Sequence, residues 1–224
     1  MESHQKPDES VTADKLVLET LFDNEISDET FESGWGFSCL VRGAQRTVLF
    51  DTGAESKKVL ANLTRVEAGP AAIDTVVISH DHKDHAGGLH GLLAENPRAA
   101  VVILEQFSRK LRESTRALTA DYREVSDPVR VCKGVYTSGA MGGWRKEQSL
   151  VIRTDKGLVL ITGCAHPHIV EILEHIRELF TGEEFLLVMG GFHLEWSTRR
   201  TIEGIVADFK RLGVRYVAPS HCTG

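Results

Sequence analysis

The chain has 224 residues, of which 42% are hydrophobic and 26% charged, and its formal net charge is −6. This length favours one globular domain, and the composition excludes collagen-like, coiled-coil and wholly disordered chains. The acidic balance argues against a general nucleic-acid binder, whose binding face is basic.

The first half of the chain predicts short strands that alternate with helices. Residues 1–14 are polar and charged, and we predict a disordered tail there, followed by one domain over residues 15–224. Helical spacing of apolar residues predicts a helix over 54–67, and a second short helix follows Gly87 and Gly88. Apolar runs predict strands at 16–22, 75–79 and 100–105, and a hairpin formed by 36–41 and 46–50.

The second half begins with a poorly periodic stretch, residues 106–130, for which we predict a helix and then a loop. A hairpin follows, formed by 149–153 and 158–162. Pro167 suits the first turn of a helix, and strands at 185–189 and 216–219 enclose a helix over 198–212. Because hairpins are interleaved with helical crossovers, we predict an α/β fold with two mixed β-sheets flanked by helices.

A histidine-rich segment at residues 80–85 carries the clearest chemical signal. It contains His80, His82, Asp84 and His85, and it directly follows the predicted strand at 75–79, where α/β folds place ligands. Imidazole and carboxylate groups are donors that zinc, iron and manganese accept. His80 and His82 leave an extended segment on the same side, while Asp84 and His85 offer donors in a second direction. The segment can therefore serve two metal ions about 3.5–4 Å apart.

These residues match the pattern HxHxDH, and the sequence resembles the metallo-β-lactamase fold superfamily. A second match is Leu49-Phe50-Asp51-Thr52-Gly53, which resembles the LFDTG strand end of that family. The resemblance covers most of residues 16–224 and implies a four-layer αβ/βα sandwich. It also implies that Asp51 lies near the metals and fixes a ligand histidine.

Three further segments place histidine or cysteine after a predicted strand: 162–167, 190–194 and 219–224. Each segment either supplies metal ligands or is simply a glycine-containing turn at the end of its strand. The resemblance favours His166 and His221 as metal ligands, and His193 as a residue that lines the site. Similar chains continue past the final His-Cys-Thr-Gly, so the domain is expected to be short at this end. Because chain ends fray, we expect His221 to be loosely held.

Two positions depart from the family pattern. No histidine occurs between His90 and His166, so the role of the family's third histidine passes either to Glu147 or to His166. The acidic TGD motif reads Thr-Gly-Cys and ends at Cys164. The role of the bridging aspartate is either lost or taken by Cys164, whose thiolate would bind zinc or iron once the metal deprotonates it. A small buried hydrophobe is the other interpretation of Cys164.

The resemblance implies two divalent ions, with zinc favoured over iron or manganese. His80, His82 and His166 would hold one ion; Asp84, His85 and His221 would hold the other, with Cys164 as an additional ligand. The ions would activate a water molecule for hydrolysis, and Asp84 would orient that water. His193 would stabilise charge on the substrate or leaving group, while Asp51 and Glu147 would support the ligands.

We therefore expect a metal-dependent hydrolase that acts on a phosphoester or small ester, with a small anionic substrate and no nucleic-acid or membrane partner. The four cysteines form no CxxC pair, and the N-terminus lacks a signal-peptide pattern, so we predict a cytoplasmic location. The segments TGCAH, GGFHL and HCTG resemble a branch that includes dihydropterin–ribofuranosylaminobenzene-phosphate synthases. A pterin-type transferase is therefore an alternative, although residues 136–140 depart from that branch. A metal-binding or sensing module without turnover is the third hypothesis.

Overall fold

Two six-stranded sheets form the centre of the protein in the computed structural model, which describes residues 10–25 and 28–224. The first sheet has the order β1-β2-β3-β4-β5-β6, with β1 (Val17–Phe22), β2 (Ser38–Arg42), β3 (Val48–Phe50), β4 (Thr75–Val77), β5 (Ala100–Leu104) and β6 (Tyr122–Val125). The second has the order β12-β11-β10-β9-β8-β7, with β7 (Arg130–Cys132), β8 (Val135–Thr137), β9 (Leu150–Thr154), β10 (Gly157–Thr162), β11 (Phe185–Gly190) and β12 (Tyr216–Pro219).

Each sheet has an antiparallel part and a parallel part. In the first sheet β1, β2 and β3 are antiparallel neighbours, and β3 to β6 are parallel. In the second sheet β7 to β10 are antiparallel, and β10, β11 and β12 are parallel. Both sheets are therefore mixed, as the interleaved hairpins and crossovers predict.

The helices are α1 (Ser56–Arg65), α2 (Lys83–Ala86), α3 (Leu89–Glu95), α4 (Arg109–Arg116), α5 (Ile169–Leu179) and α6 (Arg199–Arg211). One apolar cluster joins both sheets to α1 and α3, and a second lies between the second sheet and α5 and α6. Helices thus cover the outer face of each sheet, which confirms the predicted helix–sheet–sheet–helix sandwich. Among the described residues, no helix is long and apolar enough to cross a membrane.

Strand β10 shows how the sequence pattern builds these layers. Val159 and Ile161 face the cluster between the sheets, whereas Leu158 and Leu160 face α5. Side chains of a strand alternate between its two faces, and both faces are covered here, so the four residues between Gly157 and Thr162 are all apolar.

Two predictions along the chain need correction. Residues 106–130 were expected to hold only a helix and a loop, yet they contain α4, the parallel strand β6 and the start of β7. Strand β6 is half-buried and carries Arg123 and Glu124 between its apolar ends, so it lacks a strand pattern. Of the predicted tail, residues 1–9 lie outside the described part. Val11 is buried and pairs with Thr154, so the ordered domain begins before residue 15.

Asn62 is a buried polar residue of α1 that joins the helix to β1 and to the loop after it. Its amide nitrogen donates to the carbonyls of Leu21 (2.6 Å) and Glu32 (2.7 Å), and its oxygen accepts from the Glu32 amide (2.8 Å). Because Asn62→Ala leaves these backbone groups unpaired, we expect it to lower the free energy of unfolding by about 2–3 kcal/mol. Urea denaturation measures this loss, and the exposed neighbour Lys57 supplies the control, Lys57→Ala, which should leave stability unchanged.

Candidate metal centre

The predicted ligands meet where the strands of both sheets end. His80, His82, Asp84 and His85 lie in the loop after β4 and in the short helix α2. The second sheet contributes Cys164 and His166 after β10, His193 after β11 and His221 after β12. The centre is therefore built at the boundary between the sheets, from residues that are distant along the chain.

The first cluster contains His80, His82 and His166, whose donor atoms lie within 4.8 Å of one another. The Nε2 atom of His80 is 3.0 Å from the Nδ1 atom of His82. The ring of His166 lies 4.7 Å from that of His80 and 5.2 Å from that of His82, centroid to centroid. Three imidazoles around one point form the donor set of a zinc site with an open position.

The second cluster contains Asp84, His85, Cys164 and His221, again with donor atoms within 4.8 Å of one another. The Nε2 atom of His85 is 3.2 Å from Nε2 of His221 and 3.2 Å from Sγ of Cys164. An Asp84 oxygen lies 3.5 Å from His85 Nε2 and 3.4 Å from His221 Nε2. The grouping matches the predicted set, and it places Cys164 where it could act as a ligand.

Four of the five imidazoles in these clusters are held at Nδ1 by a neighbouring oxygen, which leaves Nε2 to face the cluster. The pairs are His80 with Ser79 (2.8 Å), His85 with Asp51 (2.7 Å), His166 with Glu147 (2.7 Å) and His221 with Asn24 (3.0 Å). Such partners fix the tautomer and the ring orientation of a metal-ligating histidine. The residues present therefore fit two divalent ions.

Glu147 is the residue that organises the loop after β10. Its Oε1 accepts from the amides of Cys164 and Ala165, both at 2.9 Å, and its Oε2 accepts from the His166 amide at 3.0 Å. It lies 4.0 Å from His80 Nδ1, on the side away from the facing nitrogens of the first cluster. Of the two alternatives for the third histidine, His166 joins the cluster, and Glu147 positions it.

The carboxylates and histidines of the centre shift one another's pKa values. Burial raises the pKa of Asp51, although His85 and Ser79 act in the opposite direction. Burial would lower the pKa of His85, but Asp51 and then Asp84 raise it to about 10. Burial would raise the pKa of Glu147, whereas its interactions with His80 and His166, including hydrogen bonds from His166, hold it well below its usual range.

His80 and His82 are favoured as neutral rings. Burial lowers the pKa of His80 well below its ordinary value, with a further contribution from His85. Burial and the nearby Arg145 lower the pKa of His82. A neutral imidazole has a free lone pair, so these two rings suit a cation.

Strained backbone is concentrated at this centre. Over residues 10–25 and 28–224, six non-glycine residues have a positive φ, and four of them border the clusters: Asp51 (59°), Ala165 (58°), His193 (54°) and His221 (53°). This conformation costs of order 1 kcal/mol or more for a residue with a side chain, and it collects at functional sites. Backbone strain thus points to the region of the two clusters, and this observation does not depend on the metal-binding chemistry of the side chains.

His221 is firmly held, so our expectation of a loosely held residue is wrong. It is 6% exposed and begins a turn of 3₁₀ helix, and its amide donates to Asp23 at 2.9 Å. Asn24 contacts both its ring and its carbonyl, and the ring of Trp35 lies edge-on at 5.1 Å. These contacts come from the loop after β1, and no local sequence signal identifies Asp23, Asn24 or Ser79 as supports of the ligands.

His193 and Cys222 lie beside the two clusters. The ring of His193 is exposed and lies 5.0 Å from that of His166, so it lines the site and is not part of the core. Cys222 is 3% exposed, and its thiol donates to the Cys164 carbonyl at 3.7 Å. The proximity of the two thiols raises the pKa of Cys164 and lowers that of Cys222.

Position 163 requires glycine because the backbone there packs closely against Ser79, which is hydrogen-bonded to His80. An added Cβ would lie 2.2 Å from Ser79 Oγ, which cannot move because it bonds to Asp51 and His80. We expect Gly163→Ala to lower both the melting temperature and the metal content. The control is Gly204→Ala in α6, where an added Cβ meets nothing within 4 Å; it should stabilise the helix by roughly 0.5–1 kcal/mol. Equal behaviour of the two variants would contradict this packing argument.

The fold and the two clusters of candidate ligands define the class of protein, an α/β sandwich with a candidate metal centre. Sequence comparison identifies the family. A family model of the metallo-beta-lactamase superfamily matches residues 36–182, and the chain belongs to that superfamily.

Two solved structures and one relative found by sequence are similar to the chain. The crystal structure of Tm1679, described as a metal-dependent hydrolase of the beta-lactamase superfamily, is 32% identical, with a TM-score of 0.76 over 92% of this chain and 88% of that one. A 7,8-dihydropterin-6-methyl-4-(beta-D-ribofuranosyl)-aminobenzene-5'-phosphate synthase of Methanocaldococcus jannaschii is 25% identical over 94% of this chain and 88% of its own length. The short form of human tRNase Z shares the fold at 14% identity and a TM-score of 0.62.

Proposed function

We propose that the protein is a hydrolase that uses two divalent metal ions, with zinc favoured, to cleave a phosphoester or small ester. The observation that carries this proposal is the orientation of the rings: four oxygens hold Nδ1 of four histidines, so that each Nε2 faces a shared space. A structural histidine cluster would have no need of this arrangement, whereas a metal site depends on it.

When bound, such ions would lower the pKa of a water molecule and polarise a substrate oxygen. His80, His82 and His166 would hold one ion, and Asp84, His85, Cys164 and His221 the other. Asp84 lies at the edge of its cluster and is partly exposed, so its second oxygen can orient a nucleophilic water. The exposed ring of His193 is placed to donate a hydrogen bond to a substrate oxygen or leaving group.

An anionic small molecule is the proposed substrate. Exposed Arg145 lies close enough to His82 and His193 to lower the pKa of both rings, so a positive side chain borders the first cluster. It would attract a phosphate or carboxylate although the chain as a whole is acidic. All four cysteines are free, which suits the proposed cytoplasmic location.

The M. jannaschii synthase favours a second candidate, a transferase that joins a pterin to an aminobenzene partner. Such an enzyme could use the same ions to bind the phosphate of one partner. The same clusters could also serve a metal-binding module that has no turnover.

One set of assays separates these functions. The zinc-loaded chain is tested on an aryl phosphodiester and an aryl ester, and then with a dihydropterin and an aminobenzene ribofuranosyl phosphate together. We expect chelator-sensitive hydrolysis that zinc restores. A coupled product without hydrolysis would instead support the transferase, and bound metal with neither reaction would support the module.

A further inference from the structure

Cys222 is a buried thiol that neither ligand cluster uses. It lies in the last turn of the described chain, and its carbonyl accepts from the amides of Leu194 (3.0 Å) and Glu195 (3.3 Å). Thr223 Oγ1 accepts from the Phe192 amide at 3.0 Å. The turn is therefore fixed against the loop that carries His193.

Three donor atoms meet at this junction. The sulfurs of Cys164 and Cys222 and a ring nitrogen of His193 all lie within 4.8 Å of one another. The Cys222 thiol donates to the Cys164 carbonyl at 3.7 Å, so the second cysteine is held against the backbone of the first. The cysteines are 4% and 3% exposed, whereas His193 is exposed and gives an ion a path inward.

Gly191 allows both a close backbone approach and the placement of the second sulfur. An added Cβ at this position would lie 2.3 Å from the Gly163 carbonyl oxygen, 2.8 Å from Cys222 Sγ and 3.3 Å from Cys164 Cα. Cys222 therefore packs against glycine backbone, a second thiol and an imidazole. A cysteine that served only as a small apolar residue would be expected among apolar side chains.

We propose that Cys164, His193 and Cys222 form a third metal site, which takes a thiophilic d¹⁰ cation such as Zn²⁺ or Cd²⁺. Two sulfurs and one imidazole are a soft donor set, unlike the nitrogen-only first cluster. Cys164 also belongs to the second cluster, so its thiolate would bridge the two ions. Metal binding breaks the S–H bonds of Cys222 and Cys164 and releases both protons to solvent, without electron transfer. His193 uses one ring nitrogen, and the other can still face the mouth of the site.

Cadmium is the probe that tests this site, because thiolate–cadmium bonds absorb in the ultraviolet. The full chain is reduced, freed of metal and titrated with Cd²⁺, and bound cadmium is counted by native mass spectrometry. We expect Cys222→Ser to bind about one equivalent less than the wild type and to lose more than half of the charge-transfer absorption. Both thiolate–cadmium bonds of the third site would disappear, and only the bond of Cys164 in the second cluster would remain. The matched control, Cys132→Ser, alters another buried cysteine outside the centre and should match the wild type.

A second measurement needs no variant. The ¹¹³Cd spectrum of the wild-type chain should contain a resonance in the sulfur-rich region in addition to those of the two clusters. Equal stoichiometry and absorption in wild type and Cys222→Ser would overturn the proposal. If Cys222→Ser does not fold, the absence of that extra resonance in the wild type would overturn it. Hydrolysis is not measured in either experiment, so the result is independent of the proposed function.

Discussion

His82→Ala is expected to empty the first cluster of metal and to abolish hydrolysis. His82 supplies one of only three imidazoles there, and its Nδ1 faces His80 Nε2 at 3.0 Å. Even residues that merely orient a ligand contribute about 10–100-fold to affinity or activity, so loss of a ligand should cost more than about 100-fold in kcat/KM. His82 is half-buried, so the fold should tolerate the change.

Metal content by mass spectrometry and hydrolysis of an aryl phosphodiester check this result together. His90→Ala is the control, because His90 is exposed and contacts Ser114 rather than the centre, at 3.1 Å. The control should keep wild-type metal and activity. Full activity in His82→Ala would show that the first cluster takes no part in the reaction.

Glu147→Ala is expected to cause a large loss of stability. The substitution removes the acceptor of three backbone amides, those of Cys164, Ala165 and His166. Breaking a fully buried ionic network costs about 3–5 kcal/mol. The free energy of unfolding, measured in urea, should fall by this amount, and the metal of the first cluster should be lost with the position of His166.

The isosteric variant Glu147→Gln separates the two roles of this residue. Its amide oxygen can still accept from Cys164 and Ala165, but its NH₂ group faces the ring N–H of His166. We expect a smaller loss of stability with a 10–100-fold weaker metal affinity, the usual effect of losing a partner of a ligand histidine. Glu171→Gln on the exposed face of α5 should change neither quantity. If Glu147→Gln kept wild-type affinity, Glu147 would have a purely structural role.

The sequence predicted the site best where its ligands are close together along the chain. His80, His82, Asp84 and His85 follow one strand within six residues, so the pattern alone identifies them. His166 and His221 lie in segments that follow apolar strands, but only the resemblance to the family favoured them as ligands. The sequence did not predict which residues hold the histidine rings or the loop after β10. Ser79 and Asn24 bond to rings, and Glu147 accepts hydrogen bonds from three backbone amides of that loop, but these contacts depend on how the two sheets pack.

Secondary structure shows the same dependence on context. Helix α6 was predicted to within one residue at each end, because its apolar residues recur at helical spacing. The short strands β6, β7 and β8 have three or four residues each and carry exposed or half-buried polar side chains, so they lack a clear period. Pairing with neighbours, not local preference, makes them strands.

The origin of the candidate ligands in two different sheets has a consequence for the lifetime of the folded chain once metal is bound. The first cluster joins His80 and His82 of the first sheet to His166 of the second, and Asp84 and His85 are joined to His221 in the same way. A bound ion would thus act as a cross-link between sheets, closing a long loop that the unfolded chain could not close without loss of entropy. Free metal at about 1,000 times the dissociation constant would add about 4 kcal/mol to the stability. Metal supply would then govern resistance to unfolding and proteolysis as well as turnover.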